Sequence, residues 1–420
     1  MPSDLVVIGL GYVGLPLVQA AARSGLAVVG FDVSAGVVDA LNAGRSHVDD
    51  LSDDDIAELL RLGFRATTDA GVLGQTRHVV ICVPTPLSED GGPDLGAVLA
   101  ATRTTGSHLQ ADQVVVLEST TYPGTTEDLV RPLLEELSGL RAGTDFHLAF
   151  SPERIDPGNP VYGMTNTPKV VGGLTPACTE AAAALYRRFV AEVVLAAGTR
   201  EAETAKLLEN TYRHINIALV NEMSRFCHEL GIDLWDVIRC ARSKPFGFQA
   251  FYPGPGVGGH CIPIDPNYLS HQVRVELGYA FRFVELAQEI NSGMPRYVVQ
   301  RVQDLLNDRG LAVRGARVLL LGVTYKADIA DQRESPATDV AAGFLAKGAE
   351  LAYHDPHVPV WHVGGASYPC EADLLGACAA ADVVVLLQNH AAYDLAAVAS
   401  AAPLLFDTRG AASGEAVVRL

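Results

Sequence analysis

Valine-rich apolar runs recur along the chain: LVVIGL, AVVGFD, HVVICV, VVVLES and HLAFS toward the N-terminus, then RVLLLGV, ELAYHD, DVVVLL and PLLFD toward the C-terminus. Runs apolar at consecutive positions have to be buried on both faces, which predicts parallel strands covered by helices. The pattern occurs twice. Between the two sets lies REAETAKLLENTYRHINIALVNEMSRFCHELGID, where Ala205, Leu208, Tyr212, Ile215 and Leu219 recur at a 3-4 spacing. That spacing draws one stripe along a long helix. The expected fold class is α/β, with two Rossmann-like doubly wound domains joined by a long central helix. The expected domains span 1-198, 199-300 and 301-420.

Composition narrows the partners. The chain has 420 residues, 49% hydrophobic and 19% charged, a globular balance too long for a single core. Basic side chains number 31 against 49 acidic ones, a formal charge of -18. Nucleic acid is therefore not an expected partner, because its phosphate backbone is met by clustered Lys and Arg. The seven cysteines (82, 178, 227, 240, 261, 370 and 378) form no C-x-x-C pair and are odd in number. That argues against a disulfide framework or a zinc site and for a reducing, cytoplasmic home. The start, MPSDLVVIGLG, has no basic segment before its apolar run and reads as a strand, not a signal peptide. The run around ACAAADVVVLL is interrupted by Asp382, so no membrane span is expected.

GLGYVG, Gly9 to Gly14, follows the first apolar run and precedes the helical LPLVQAAARSG. It fits G-x-G-x-x-G in its proper setting, with Gly9, Gly11 and Gly14 at the three glycine positions. Asp32 closes the next run within about 20 residues, where a carboxylate accepts from ribose hydroxyls and would repel a 2′-phosphate. The expected cofactor is therefore NAD. The second α/β set opens with RVLLLGVTYKADIADQRES, which keeps Gly322 but lacks the other glycines. Its loop carries Lys326 and Arg333 among Asp328, Asp331 and Glu334; these charges either hold a phosphate or are simply solvated.

GVGGHCIPID, residues 256 to 265, sets Cys261 on a glycine- and proline-shaped loop. Taken alone it fits equally a presented nucleophile and a small buried hydrophobe. Other reactive groups stand at strand ends: Ser119 and Thr120 in ESTTYPGTT, and Glu153 in SPERIDPGN. Lys206 and Asn210, four apart on the long helix, share one face. Together they suggest a thiolate adding to an aldehyde, hydride transfer to NAD, and hydrolysis of the resulting thioester. Lys206 and Asn210 would face the oxyanion, Lys206 would favour the thiolate, and Glu153 or Asp265 would serve as base for water. His260 points away from its neighbour in an extended segment, so it reads as structural or substrate-facing.

With these motifs assembled, the chain resembles the nucleotide-sugar 6-dehydrogenases, the UDP-glucose and GDP-mannose dehydrogenase family, over nearly its whole length. The landmarks are GLGYVGLP, CVPTP, EST, SPERIDPGN, EAETAKLLENTYR, GVGGHCIPIDP, YKADIADQRESP and DTRG. The resemblance implies oxidation of C6 of a nucleotide-linked sugar to a carboxylate, using NAD twice, through a cysteine-bound intermediate. It implies Cys261 as nucleophile, with Lys206, Asn210 and Asp265 stabilising charge and positioning water, and Glu153 as acid/base beside Thr120. Cofactor contacts would come from Gly11, Tyr12, Val13, Asp32, Thr85, Thr120 and Arg333. For the UDP-sugar it implies Glu153, Arg154, Lys206, Asn210, Tyr252, Gly258, Lys326 and Arg409. It also implies a homodimer paired through the central helix, with Lys244 as a basic residue lent to the partner. SKPFGFQAFYPGPGVGGHCIPIDP looks more like the UDP-N-acetylglucosamine and UDP-N-acetylmannosamine branch than the UDP-glucose branch, which usually has serine where His260 stands. UDP-N-acetylglucosamine is the favoured substrate. Two positions depart from the family pattern: Val37 replaces a basic residue near the adenosine ribose, and Asn267 replaces an aromatic after Asp-Pro. A catalytically silent NAD- or nucleotide-sugar-binding regulator is the alternative from another class; it would have no need to keep Cys261, Lys206, Glu153 and Asp265 together.

Overall fold

A computed structural model describes residues 3–48, 51–86, 92–156, 159, 161–259, 262 and 264–420. His260 and Cys261 lie outside the described residues. The chain divides into two compact units, Met1–Glu209 with Asn267–Leu277, and Asn210–Pro266 with Gly278–Leu420.

The first unit is built on eight strands: β1 (Ser3–Ile8), β2 (Val28–Phe31), β3 (Arg65–Thr67), β4 (Thr76–Ile81), β5 (Val114–Leu117), β6 (His147–Phe150), β7 (Lys169–Gly173) and β8 (Val193–Leu195). Their order is β3-β2-β1-β4-β5-β6-β7-β8. All pairs are parallel except β6 with β7. Both faces of the sheet are covered, which is why the runs are continuously apolar. Leu5 and Val7 of β1 join one core with Leu15, Leu17, Val18, Ile56 and Tyr186, while Val6 and Ile8 join another with Ile81, Leu117, Leu134 and Phe150. Leu5, Val6 and Val7 are fully buried, each worth about 1.5–3 kcal/mol against exposure.

The second unit carries β9 (Arg317–Leu321), β10 (Glu350–His354), a hairpin of β11 (Val360–Val363) and β12 (Ala366–Pro369), then β13 (Val383–Leu386), β14 (Leu405–Asp407) and β15 (Val417–Arg419). The sheet order is β10-β9-β13-β14-β15, all parallel. The same period-2 division holds: Val318 and Leu320 face the core of Val298, Val302, Phe344 and Trp361, and Leu319 and Leu321 face that of Val398 and Tyr393.

A helix of 31 residues, Thr199–Glu229, and one of 27, Arg282–Asp308, complete the α/β architecture expected from the pattern. The apolar stripe that revealed the first of these is not its buried face. Leu208, Tyr212 and Leu219 are 65%, 47% and 53% exposed, whereas Glu203, Lys206, Leu207, Thr211, His214 and Asn221 are buried. The helix thus buries a face of mixed polarity, where these polar groups stand among Ala202, Ala218, Val220 and Cys227. No helix among the described residues is long and apolar enough to cross a membrane.

Candidate active site

In the first unit, the turn after β1 shows why each glycine is required. Gly9 has φ +88, and a Cβ there would lie 2.6 Å from the Cys82 carbonyl oxygen. A Cβ on Gly14 would lie 1.9 Å from the Gly9 carbonyl oxygen. At Gly11 it would meet nothing within 4 Å, leaving open space where a pyrophosphate can approach the backbone. The helix Gly14–Arg23 begins at Val13 with no side-chain cap, and the positive end of a helix favours a nearby anion. Tyr12 and Val13 pack at the margin of the core. Asp32, following β2, braces the turn: Leu10 N–H donates to one carboxylate oxygen (3.0 Å) and Ser34 N–H to the other (2.9 Å). Each oxygen keeps a lone pair for a ribose hydroxyl. Val37 packs against the core. These residues fit a bound dinucleotide.

The ends of β4, β5 and β6 carry the remaining candidates of this unit. Thr85 is buried, and its carbonyl accepts from Tyr268 OH. Tyr268 is fully buried one residue after Asn267, so an aromatic is still present beside the position where the family pattern has one. Gln272 donates to the Pro123 carbonyl (2.7 Å), fixing the loop that holds half-buried Thr120. Glu203 fixes that loop from the long helix, accepting from Gly124 N–H (2.6 Å), Thr126 N–H (2.9 Å) and Thr126 Oγ1 (2.7 Å). Ser119 instead turns inward and donates to the Val83 carbonyl at 2.8 Å. Glu153 and Lys206 are brought together: Lys206 Nζ donates to the Glu153 carbonyl oxygen at 2.5 Å, and both side chains are buried. Glu153 Oε1 accepts from Ile155 N–H at 2.5 Å, while Oε2 is buried with no hydrogen-bond partner. Arg154 donates to the Pro168 carbonyl (2.6 Å) and pairs with Glu209 (2.7 Å), which commits its guanidinium to the protein.

In the second unit, Asn210 Nδ2 donates to Asp265 Oδ2 at 2.5 Å, and Asp265 is buried. The glycines that lead toward Cys261 are seated on the loop after β9. A Cβ on Gly258 would lie 2.6 Å from the Glu334 carbonyl and 2.7 Å from Tyr325 Cβ; one on Gly259, at φ +89, would lie 2.7 Å from the Tyr325 ring. Gly258 therefore has a packing reason to be glycine. Gly259 N–H also donates to the Arg333 carbonyl at 3.2 Å. The Arg333 side chain pairs with Asp331 at 2.6 Å.

Sequence reasoning missed what holds the Lys326 loop. His390, fully buried, accepts at Nδ1 from Asp328 N–H (2.9 Å) and faces Asp355 with Nε2 at 3.0 Å. Asp355 in turn accepts from Val323 N–H at 2.8 Å, and Gln388 donates to the Tyr325 carbonyl at 2.9 Å. Asp328, His357 and His390 bring ligand-type atoms within 4.8 Å of one another. Both His390 nitrogens are already engaged, so the cluster acts as a loop clasp.

Arg409, after β14, donates through Nε to the Leu387 carbonyl (2.6 Å). Burial lowers its pKa to about 10, so it remains cationic at neutral pH. It has no carboxylate within ion-pair distance among the described residues, the state expected of a cation that meets phosphate. Tyr252 stacks on Trp235 (6.0 Å, 15°), and its OH accepts from Arg242 at 3.1 Å.

His214 anchors the loop from behind. Asn291 Nδ2 donates to the His214 carbonyl (3.2 Å) and lies 3.4 Å from Nδ1, Asn221 donates to Asn291 Oδ1 (2.9 Å), and Gly254 N–H donates to Asn221 (2.9 Å). His214 also borders a cavity of about 120 Å³ with Gly256, Val257 and Asn291, and its Nε2 has no partner. Burial lowers its pKa to about 4, below the ordinary 6.5. Neutral His214 thus contributes stability that is present above pH 6.5 and lost as pH falls through about 4. On going from pH 7 to pH 5 the folded protein is expected to lose roughly 2 kcal/mol from this residue alone. Chemical denaturation at the two pH values should show that loss reduced in His214→Phe; an unchanged difference would refute the assignment.

Three models of the UDP-glucose/GDP-mannose dehydrogenase family match the chain: the NAD binding domain over residues 3–190, the central domain over 200–293 and the UDP binding domain over 319–414. A UDP-N-acetyl-D-glucosamine 6-dehydrogenase of Pseudomonas aeruginosa is 37% identical over 355 residues, 84% of this chain and 83% of that protein. A UDP-N-acetyl-D-mannosamine dehydrogenase of Pyrococcus horikoshii is 36% identical over 360 residues, 85% and 84% of the two chains. Among solved structures, the UDP-D-ManNAc dehydrogenase from Pyrococcus horikoshii superposes with TM-score 0.89 at 31% identity, covering 99% of this chain and 98% of that one. A UDP-glucose dehydrogenase from Pyrobaculum islandicum gives 0.88 at 28% identity, covering 100% and 97%. With its dinucleotide turn, its UDP binding domain and similarity running from end to end, the chain belongs to the UDP-glucose/GDP-mannose dehydrogenase family and is an NAD-dependent nucleotide-sugar 6-dehydrogenase.

Proposed function

We propose that the enzyme oxidises C6 of UDP-N-acetylglucosamine by four electrons to the UDP-uronic acid, through a thiohemiacetal and a thioester on Cys261. The observation that carries this reading is the Glu153 carboxylate, buried beside Lys206 with one oxygen that lacks a hydrogen-bond partner. An alcohol dehydrogenase that stops at the aldehyde has no need of a carboxylate waiting for water. Gly9, Gly11, Gly14, Asp32, Thr85 and Arg333 would hold NAD, whose chemistry when bound is the acceptance of hydride. The Cys261 thiolate adds to the C6 aldehyde. Lys206 and Asn210 stabilise the negative oxygen that forms, and Asn210 holds Asp265 in place. Glu153 takes the proton of the water that cleaves the thioester. Arg409 and Lys326 would meet the diphosphate and Tyr252 the substrate, with Gly258 shaping the loop.

The acetamido sugar is supported by the Pseudomonas relative's activity and by the sequence around residue 260; the mannosamine relatives make UDP-N-acetylmannosamine the second candidate. Purified enzyme with NAD should be assayed against a panel of UDP- and GDP-sugars, counting NADH per sugar. Two NADH and the acid from UDP-N-acetylglucosamine are expected. Activity confined to UDP-glucose would overturn the sugar assignment, and a ratio of one would overturn the four-electron reading.

The exposed stripe of Leu208, Tyr212 and Leu219 supports a homodimer paired through the Thr199–Glu229 helix. The double variant Leu208→Glu/Leu219→Glu is expected to sediment as a monomer where the parent sediments as a dimer. A monomeric parent would refute the pairing.

A further inference from the structure

We propose that Lys169 is a positioning residue for Glu153: its ammonium, clamped by Glu118 and Tyr186, supplies the positive charge facing the one Glu153 oxygen that lacks a hydrogen-bond partner. The inference rests on the reading of Glu153 as the base that activates water.

Lys169 opens β7, and its side chain is 4% exposed. Its Nζ donates to Glu118 Oε2 at 2.9 Å, just past the end of β5, and stands 5.3 Å from the centre of the Tyr186 ring. Tyr186 OH donates to the other Glu118 oxygen. The same ammonium lies 3.7 Å from Glu153 Oε2, the only ion pair of that carboxylate among the described residues. Lys206, the other buried cation nearby, directs a donor to the Glu153 carbonyl oxygen at 2.5 Å, not to its carboxylate. The groups around Glu153 and Glu118 are thus Lys169 on β7, Lys206 on the long helix, the Cys82 thiol after β4 and, against Glu118, the Tyr186 phenol on the helix Pro176–Tyr186. Burial pushes the Cys82 thiol and the Tyr186 phenol well up, so both stay neutral.

Two carboxylates therefore share one ammonium: Glu118 is fully buried, and Glu153 keeps 11% of its side chain exposed. Glu118 holds the ammonium in place through the stronger contact, and the 3.7 Å separation leaves Glu153 Oε2 free to accept a proton. Were the ammonium removed, Glu153 would face Glu118 with no cation between them. The protonated form would then be favoured, and a protonated Glu153 cannot take a proton from water.

The test uses the full enzyme with NAD and whichever of UDP-N-acetylglucosamine and UDP-N-acetylmannosamine it turns over. NADH formation is followed against pH, and the covalent enzyme adduct is followed by intact mass. In Lys169→Met the acidic limb of the pH profile is expected to move up by roughly one to two pH units, with the thioester adduct accumulating. Lys169→Arg should restore the limb toward its original place. Glu118→Gln/Lys169→Met removes the stranded buried carboxylate; it should unfold near the parent's temperature yet keep the adduct and a smaller shift. A parent-like profile without adduct in Lys169→Met overturns the proposal, as does an equal loss of rate at every pH in all three variants. Glu153→Gln separates the two ideas. Adduct in that variant beside a parent-like Lys169→Met rejects Lys169 alone, and absence of adduct in Glu153→Gln rejects the base assignment itself.

Discussion

Cys261→Ser is expected to abolish formation of the uronic acid, by roughly 10⁴-fold or more, while NAD still binds. A thiolate is populated near neutral pH and is strongly nucleophilic, whereas a serine hydroxyl without an adjacent base is neither. The exchange of sulfur for oxygen leaves the approach to residue 261 intact, because that approach is set by Gly256, Gly258 and Gly259 against Tyr325, Glu334 and Pro336. The dinucleotide turn belongs to the other unit of the chain. Titration of the variant with NAD should therefore resemble that of the parent, while product analysis finds no acid. Acid formed at the parent rate would show that the nucleophile lies elsewhere.

The second large effect is expected from Gly14→Ala. The new methyl would lie 1.9 Å from the Gly9 carbonyl oxygen and 3.2 Å from Val7 Cγ1, and the nearer contact is backbone that has no rotamer to change. The helix Gly14–Arg23 would have to back away from β1, on which it packs through the buried Leu15, Leu17 and Val18. A cost of about 3 kcal/mol is expected, near the upper end for overpacking, together with loss of NAD affinity. Gly11→Ala provides the contrast. Its methyl meets open space, so the unfolding temperature should hold while NAD affinity falls. Thermal unfolding and NAD titration of both variants test this pair, and a Gly14→Ala protein with parent-like values in both would refute it.

The fold was legible where burial on both faces left a continuous apolar run. β1, β2, β4, β5, β6, β9, β10, β13 and β14 coincide with runs visible in the sequence. β3, β8 and β15 are as short as β14 but, unlike it, are not continuously buried, and β11 and β12 form a separate hairpin of mixed polarity. β7 escaped for another reason. KVVGG begins with a lysine and ends in two glycines, and it runs antiparallel to β6, outside the doubly wound rule. The glycines are needed there, since a Cβ on Gly172 would lie 2.0 Å from the Gly198 carbonyl.

The candidate site was readable in its motifs and unreadable in its supports. Glu153, Lys206, Asn210 and Asp265 announce themselves by standing at strand ends or on one helix face. Glu118 and Lys169 form a buried pair across 51 residues of sequence, and the only local hint is a charge attached to each of two apolar runs. His390 and Asp355 are likewise 35 residues apart.

By itself the sequence determined the strand-helix alternation, the dinucleotide turn and the family, because these follow from local periodicity and from backbone positions where only glycine fits. The tertiary structure alone decided which face of the Thr199–Glu229 helix is buried. Hydrophobic spacing indicated the stripe of Leu208, Tyr212 and Leu219, yet the buried face carries Lys206, His214 and Asn221. Those polar groups meet residues distant in the chain: the Glu153 carbonyl for Lys206, and Asn291 for Asn221 and for one ring nitrogen of His214. Such pairings have no period, so no window of sequence contains them.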